Sequence, residues 1–230
     1  MKILAIDTSC SACSASIISD GRLMANYYLD NKLTHSVKLM PMVDEILKNL
    51  GLTPADIDVF ACGTGPGSFT GLRIGIATVK GLAVTFDTPV AGVCSLEAAA
   101  YNFAAADKDI YVITDARNKN VFYAAYRPTG EAVEQIFSPD MGNLEEIVQK
   151  ISVPCIFAGD GIFKYSDILA TNKNITLAPP SLAMPCASGV AAAAEKLAKN
   201  GGLISADELL PMYLRKSQAE QELEEKQKNS

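Results

Sequence analysis

Few side chains in this sequence can do chemistry unaided, and their spacing decides which chemistry is open. There is a single histidine, His35. A metal site built from several imidazoles is excluded, and any Ser-His-Asp or Cys-His scheme must run through that one ring. No nucleophile motif accompanies it, because Pro66 takes the place of the first glycine of G-x-S-x-G around Ser68. His35 is either a general base or a surface or interface residue ahead of a helix, and its isolation favours the second. Asp7 and Asp115 each end an apolar run of buried-strand type. They could hold a metal-bound nucleotide between two lobes, or simply accept backbone N–H groups in turns. Arg117, Asn118 and Lys119 after Asp115 could cap phosphates or form a solvated loop. Gly63-Thr64-Gly65-Pro66-Gly67-Ser68-Phe69-Thr70 can expose backbone N–H groups to an anion just ahead of a helix. It lacks the lysine of a P-loop and the third glycine of G-x-G-x-x-G, so a close-packed corner is an equal alternative. Cys10 and Cys13 form a C-x-x-C between two strands, where a redox pair would need a helix start. The cysteines read as structural thiols in a reducing cytoplasm.

The elements that must position these groups follow from hydrophobic period and turn chemistry. Strands are expected over 2–6, 14–19 and 22–29, the last two joined by Asp20-Gly21. A helix over 35–50, N-capped by Thr34 and ended by Gly51, carries Leu39, Val43, Ile46, Leu47 and Leu50 on one face. A strand over 58–62 leads into the glycine-rich segment and a helix over 71–85. A strand over 89–93 and a helix over 96–105, capped by Ser95, complete the first half. The pattern restarts at 109–114 with Asp115, continues with a strand over 121–126 and a Thr129-Gly130 turn, and passes through a strand over 154–158 into Gly159-Asp160-Gly161. An Ala-rich helix over 189–200 is expected to close the second half. This order describes an α/β protein of two lobes, 1–106 and 107–215, with a polar tail over 216–230.

Helix 71–85 carries two ridges of small residues: Gly71, Gly75, Thr78 and Leu82, and beside it Ile74, Ala77, Thr78 and Gly81. Glycine inside a helix costs roughly 1 kcal/mol relative to Ala, so something must approach closely. One face would pack on the protein's own sheet, and another could accept a helix from a second chain. Arg73 and Lys80 interrupt its apolar run, which argues against a membrane span. The 230 residues hold 20 basic against 26 acidic side chains, a net charge of −6. That balance disfavours RNA binding through bulk charge.

The run Gly65-Pro66-Gly67-Ser68-Phe69-Thr70-Gly71-Leu72-Arg73-Ile74-Gly75 resembles the signature of the bacterial TsaB (YeaZ) family. The opening Ile3–Ser9 stretch, His35-Ser36, the Asp115-Ala116-Arg117 turn and Pro211-x-Tyr213-Leu214-Arg215 are similar as well. The resemblance implies the actin/sugar kinase/Hsp70-like fold, with a ribonuclease-H-like core repeated in each lobe. It further implies a role in making N6-threonylcarbamoyladenosine at position 37 of tRNA, as the dimerisation partner of a catalytic paralogue, TsaD, together with an ATPase, TsaE. The paralogue's His-x-x-x-His metal motif would fall on Ser95 and Ala99 here, neither of which replaces an imidazole. The resemblance therefore implies a subunit without catalysis, metal or cofactor, touching tRNA only indirectly and forming a homodimer when alone. His35, Leu39, Met42, Arg73, Ile74, Gly75 and Thr78 are the expected interface residues. Asp7, Thr8, Ser9, Asp115, Gly159 and Gly161 are the residues of any residual nucleotide site. The alternative is an independent enzyme, a metal-free peptidase or a weak nucleotide-binding ATPase.

Overall fold

A computed structural model describes residues 1–31 and 34–214. Arg215 and the tail expected over 216–230 lie outside the described residues. The first half contains β1 (Lys2–Asp7), β2 (Cys13–Ser19), β3 (Arg22–Leu29), α1 (His35–Leu50), β4 (Val59–Gly65), α2 (Phe69–Phe86), β5 (Val90–Cys94) and α3 (Ser95–Ala100). The second contains β6 (Asp109–Asp115), β7 (Asn120–Pro128), β8 (Val133–Asn143), α4 (Leu144–Lys150), β9 (Cys155–Ala158), α5 (Gly161–Lys164), α6 (Ser166–Leu169), β10 (Ile175–Leu177) and α7 (Ala187–Lys199).

The strands form two five-stranded sheets, ordered β3-β2-β1-β4-β5 and β8-β7-β6-β9-β10. In each, the first strand pairs antiparallel with the second and parallel with the fourth. The two sheets have one topology, so the chain is a duplicated core with the two-lobed architecture implied by the actin/sugar kinase/Hsp70-like resemblance. Asp7 and Asp115 occupy equivalent positions, at the ends of the two central strands.

Several elements depart from the expectations. Strand β8 and helix α4 are additional; β8 is an edge strand containing Pro139 and two register shifts against β7, which erase the alternating pattern. Helix α3 stops at Ala100 and passes into a 3-10 turn at Tyr101–Phe103, and Ser95 is its first helical residue instead of its cap. Thr34 holds the N-cap position of α1 without a side-chain capping bond. Ser68 caps α2 by accepting from the Gly71 N–H, so that helix begins at Phe69.

The two halves also exchange helices. The Ala-rich α7 packs on β1, β2, β4 and β5 of the first sheet, while α3 packs on β6, β7 and β8 of the second. Small side chains make this possible: Ala187, Ala191 and Ala194 lie fully buried against Ile3, Ala5 and Ala91. A side chain at Gly189 would overlap the Ala98 carbonyl of α3. After α7 the chain stays with the first lobe. Ile204 bridges Val90, Leu209 enters the core beneath α1 and α2, and Met212 N–H donates to Thr64 O at 2.8 Å. The Pro211-x-Tyr213 segment is thereby laid beside the glycine-rich signature.

Candidate functional site

The β1–β2 turn is built around Asp7. Its Oδ1 accepts from Ser9 N–H at 3.1 Å and Ser9 Oγ at 2.8 Å, while Oδ2 is buried without a partner. Burial pushes the Asp7 carboxyl up to about 6, with the Ser9 bonds opposing. Helix α2 roofs this turn. Thr8 Oγ1 donates to Gly71 O at 2.8 Å and Ser68 N–H donates to Ser9 O at 2.7 Å. Side chains at Gly67 and Gly71 would overlap the carbonyls of Ser9 and Thr8, and one at Gly75 would stand 2.5 Å from Thr8 Oγ1. The Gly65 N–H is spent on Ser95 Oγ, at 3.1 Å. The glycine-rich segment is thus a close-packed corner, with these N–H groups turned inward and Asp7, Thr8 and Ser9 all buried.

The second lobe is closed differently. Asp115 Oδ2 accepts from Lys164 Nζ at 2.6 Å, and Oδ1 accepts from Tyr165 OH at 2.7 Å and Arg117 N–H at 2.9 Å. Partial burial opposes ionisation of Asp115, but the Lys164 and Tyr165 hydrogen bonds outweigh it and hold the carboxyl below its usual range. Side chains at Gly159 and Gly161 would strike Ile113 of the neighbouring strand, so both glycines serve packing. Lys164 and Tyr165 carry no motif; only the fold reveals them.

His35 Nε2 lies 2.9 Å from Cys10 O, and burial lowers the pKa of the ring. Burial raises the Cys10 thiol and pushes Cys13 up to about 11, so neither is a thiolate at neutral pH. Ser95 and Ala99 are buried. Among the described residues, no group of three or more His, Cys, Asp or Glu is placed to hold a metal.

Two experiments follow. Because the folded pKa of Asp7 lies above its unfolded value, the folded state binds the extra proton between about pH 4 and pH 6, and stability falls as pH rises through that window. The span of about two units corresponds to at most about 3 kcal/mol. Asp7→Asn is expected to flatten the dependence of melting temperature on pH across the window; an unchanged profile would remove Asp7 as its source. Calorimetry of ATP into the chain is expected to show no saturable heat up to about 1 mM, because Lys164 already neutralises Asp115. Saturation that Asp7→Ala abolishes would contradict this.

The exposed surface is organised by α2. Helix α2 has the length and mean hydropathy, 1.2, of a short membrane span, yet it is an element of the first lobe, seated through Gly71 and Gly75 on Thr8. Its outer ridge is open: Arg73, Ala77, Gly81 and Val84 are exposed, Val84 at 69%, and a side chain at Gly81 would meet nothing within 4 Å. At one end Phe69 stacks on Tyr213 with centroids 4.9 Å apart, Arg73 lies 3.9 Å over Phe69, and Arg73 Nε donates to Tyr213 OH. Beside α2, helix α1 exposes Val37 and Met40.

This placement divides the expected interface residues. Arg73 is exposed, and His35, Ile74 and Thr78 are half-buried. Leu39 and Met42 are buried at 1% and 7% exposure in the core beneath α1, and Gly75 packs inward on Thr8, so these three face the chain's own interior. The 3.6-residue period identified an apolar ridge but not which side of it the sheet would cover. Phe69, Val84, Val37 and Tyr213, exposed on the same surface, were not among the expected interface residues. The Phe69–Arg73 pair, one helical turn apart, was the available signal.

Comparison with known proteins agrees with this architecture. The sequence family described as TsaD, tRNA N6-adenosine threonylcarbamoyltransferase, matches residues 29–223. The chain is 32% identical over 227 residues to the tRNA threonylcarbamoyladenosine biosynthesis protein TsaB of Escherichia coli K12, covering 95% of this chain and 96% of that one. It is 31% identical to TsaB of Bacillus subtilis 168, covering 99% and 100%. Among solved structures, YeaZ from Pseudomonas aeruginosa superposes with a TM-score of 0.81 at 29% identity, covering 93% of this chain and 99% of that one. Component A of the (R)-2-hydroxyglutaryl-CoA dehydratase of Acidaminococcus fermentans shares the fold alone, with a TM-score of 0.52 at 13% identity, covering 86% and 99%.

Proposed function

Because this chain belongs to the TsaB (YeaZ) family of tRNA threonylcarbamoyladenosine biosynthesis proteins, within the wider TsaD family, we propose that it is the non-catalytic subunit of that pathway. In this reading it holds a TsaD-like catalytic paralogue through the open face of α2 and the adjoining surface of α1. The paralogue transfers the threonylcarbamoyl group and makes most of the contact with tRNA. A TsaE-like ATPase joins the pair, and the chain forms a homodimer through the same face when alone. The reading places it in the cytoplasm.

One observation carries the proposal. An apolar helix is seated flush on its own lobe by Gly71 and Gly75, yet keeps a second, exposed ridge in which a side chain at Gly81 would meet nothing within 4 Å. Gly81 costs helix stability, roughly 1 kcal/mol against Ala, with no return inside the chain. Close approach of a second helix would supply that return, since small residues let two backbones come near. Exposed Val84, Ala77 and Met40 would be covered in the same contact.

An independent peptidase is disfavoured by the site itself. His35 is bound to a backbone carbonyl, and the thiols near it are held protonated by burial. The test is a pull-down with the TsaD-like paralogue. Thr78→Trp, on the half-buried flank of the ridge, is expected to abolish capture while circular dichroism stays unchanged. Capture that survives would place the interface elsewhere.

A further inference from the structure

The first-lobe turn, through Asp20 and Gly21, and the second-lobe β7–β8 turn, through Glu131 and Ala132, line one groove. Its volume is about 830 Å³, within the size range of ligand sites. The β2–β3 turn, the β7–β8 turn, α7 and Tyr101 all line it. This groove contains neither Asp7 nor Asp115, nor any residue of the open α2 ridge.

Most charges lining it are already committed. Asp20 takes the N-terminal ammonium of Met1, Glu195 pairs with Lys199 at 3.4 Å, and Lys196 donates to Val133 O at 2.9 Å. Two opposite charges are left over. Arg22 stands on the first-lobe turn and Glu131 on the second-lobe turn, and among the described residues neither has an ion-pair partner. Tyr101, which also lines the groove, carries a buried hydroxyl without a hydrogen-bond partner. Ile18, Leu23 and Ala192 supply an apolar lining between these polar groups.

We propose that this groove binds a small zwitterionic ligand of the short-peptide class. Its carboxylate meets Arg22, its ammonium meets Glu131, an amide or side-chain polar group meets the Tyr101 hydroxyl, and an apolar side chain rests on Ile18, Leu23 and Ala192. The chemistry follows from what is unpaired. Arg22 and Glu131 offer one charge of each sign, which a ligand carrying both complements and a simple anion or cation matches only in part, and an uncharged apolar ligand would leave the buried Tyr101 hydroxyl unbonded. Because the two charges come from different lobes, such a ligand also ties the lobes together. The proposal does not depend on the subunit role.

The test is calorimetric titration of the whole chain with the dipeptide L-alanyl-L-leucine, its N-acetyl derivative, which lacks the cation, and its C-terminal amide, which lacks the anion. The free dipeptide is expected to bind with a Kd between about 0.1 and 10 mM. Each blocked form should bind at least about tenfold more weakly, as should the free dipeptide to Arg22→Gln or Glu131→Gln, and Tyr101→Phe should weaken it severalfold. Arg22 and Glu131 are exposed, so melting temperatures without peptide should be unchanged and will separate lost binding from lost folding. Absence of binding up to about 10 mM, equal binding of the blocked forms, or undiminished binding by the charge variants would overturn the proposal.

Discussion

Gly81→Trp leaves the isolated chain folded and removes its contribution to tRNA modification: that is the largest functional effect the account predicts. The position is exposed in α2, and nothing within 4 Å opposes a side chain there. The folded monomer should tolerate the indole, with a melting temperature equal to or above that of the parent. A partner helix lying on the Ala77–Gly81 ridge would not tolerate it, because helix axes that meet over small residues sit closer than an indole allows. Loss of a central interface contact typically costs 2 kcal/mol or more, and a steric block costs further. Capture of the paralogue, and threonylcarbamoyladenosine formed in a reconstituted mixture, should therefore fall by about a hundredfold or more. Undiminished product would mean that α2 does not carry the contact.

The second large effect is a contrast within the same helix. Gly71→Ala and Gly81→Ala make the same chemical change ten positions apart, and they should move stability in opposite directions. At Gly71 the new Cβ overlaps the Thr8 carbonyl, which belongs to rigid backbone of the β1–β2 turn. Helix α2 must lift, weakening the Thr8 Oγ1–Gly71 O bond and the seating of Gly67 on Ser9. Overpacking of this kind costs about 1–3 kcal/mol. At Gly81 the new methyl meets open space, and the gain is the helix preference of Ala, roughly 0.5–1 kcal/mol. Urea unfolding of the two variants beside the parent measures both signs. If both variants lose stability equally, α2 is not seated as described.

That contrast also shows where sequence reasoning stops. The small-residue ridges of α2 were legible from spacing alone, as was the need for something to approach them. Which ridge faces inward depends on Thr8, 63 residues away along the chain, and no local pattern encodes that. The same limit explains Leu39 and Met42: their helical period was correct, but the first sheet covers them and leaves Val37 and Met40 outside. Asp7, Asp115 and the two turn glycines marked the duplication because hairpin chemistry is local. The Lys164 ammonium that occupies Asp115 comes from 49 residues beyond it, in a four-residue helix that no periodicity reveals. The exchange of α3 and α7 between the sheets was hidden for the same reason. An Ala-rich amphipathic helix declares that it will pack closely, but not on which of two similar sheets.

The glycine-rich segment had two readings on sequence grounds, an anion cradle or a tight corner. The corner explains more: Gly65 N–H is taken by Ser95, Ser68 N–H by Ser9, and Gly71 N–H by Ser68. What looks in sequence like a phosphate loop is the seat of the helix that presents the proposed interface.

The most direct test of the subunit reading is reconstitution of tRNA threonylcarbamoylation from purified components, with this chain omitted in one arm and the TsaD-like paralogue in the other. The account predicts modified tRNA only when both are present, with the chain's contribution lost on Gly81→Trp. Modified tRNA formed by this chain with the paralogue absent would contradict it.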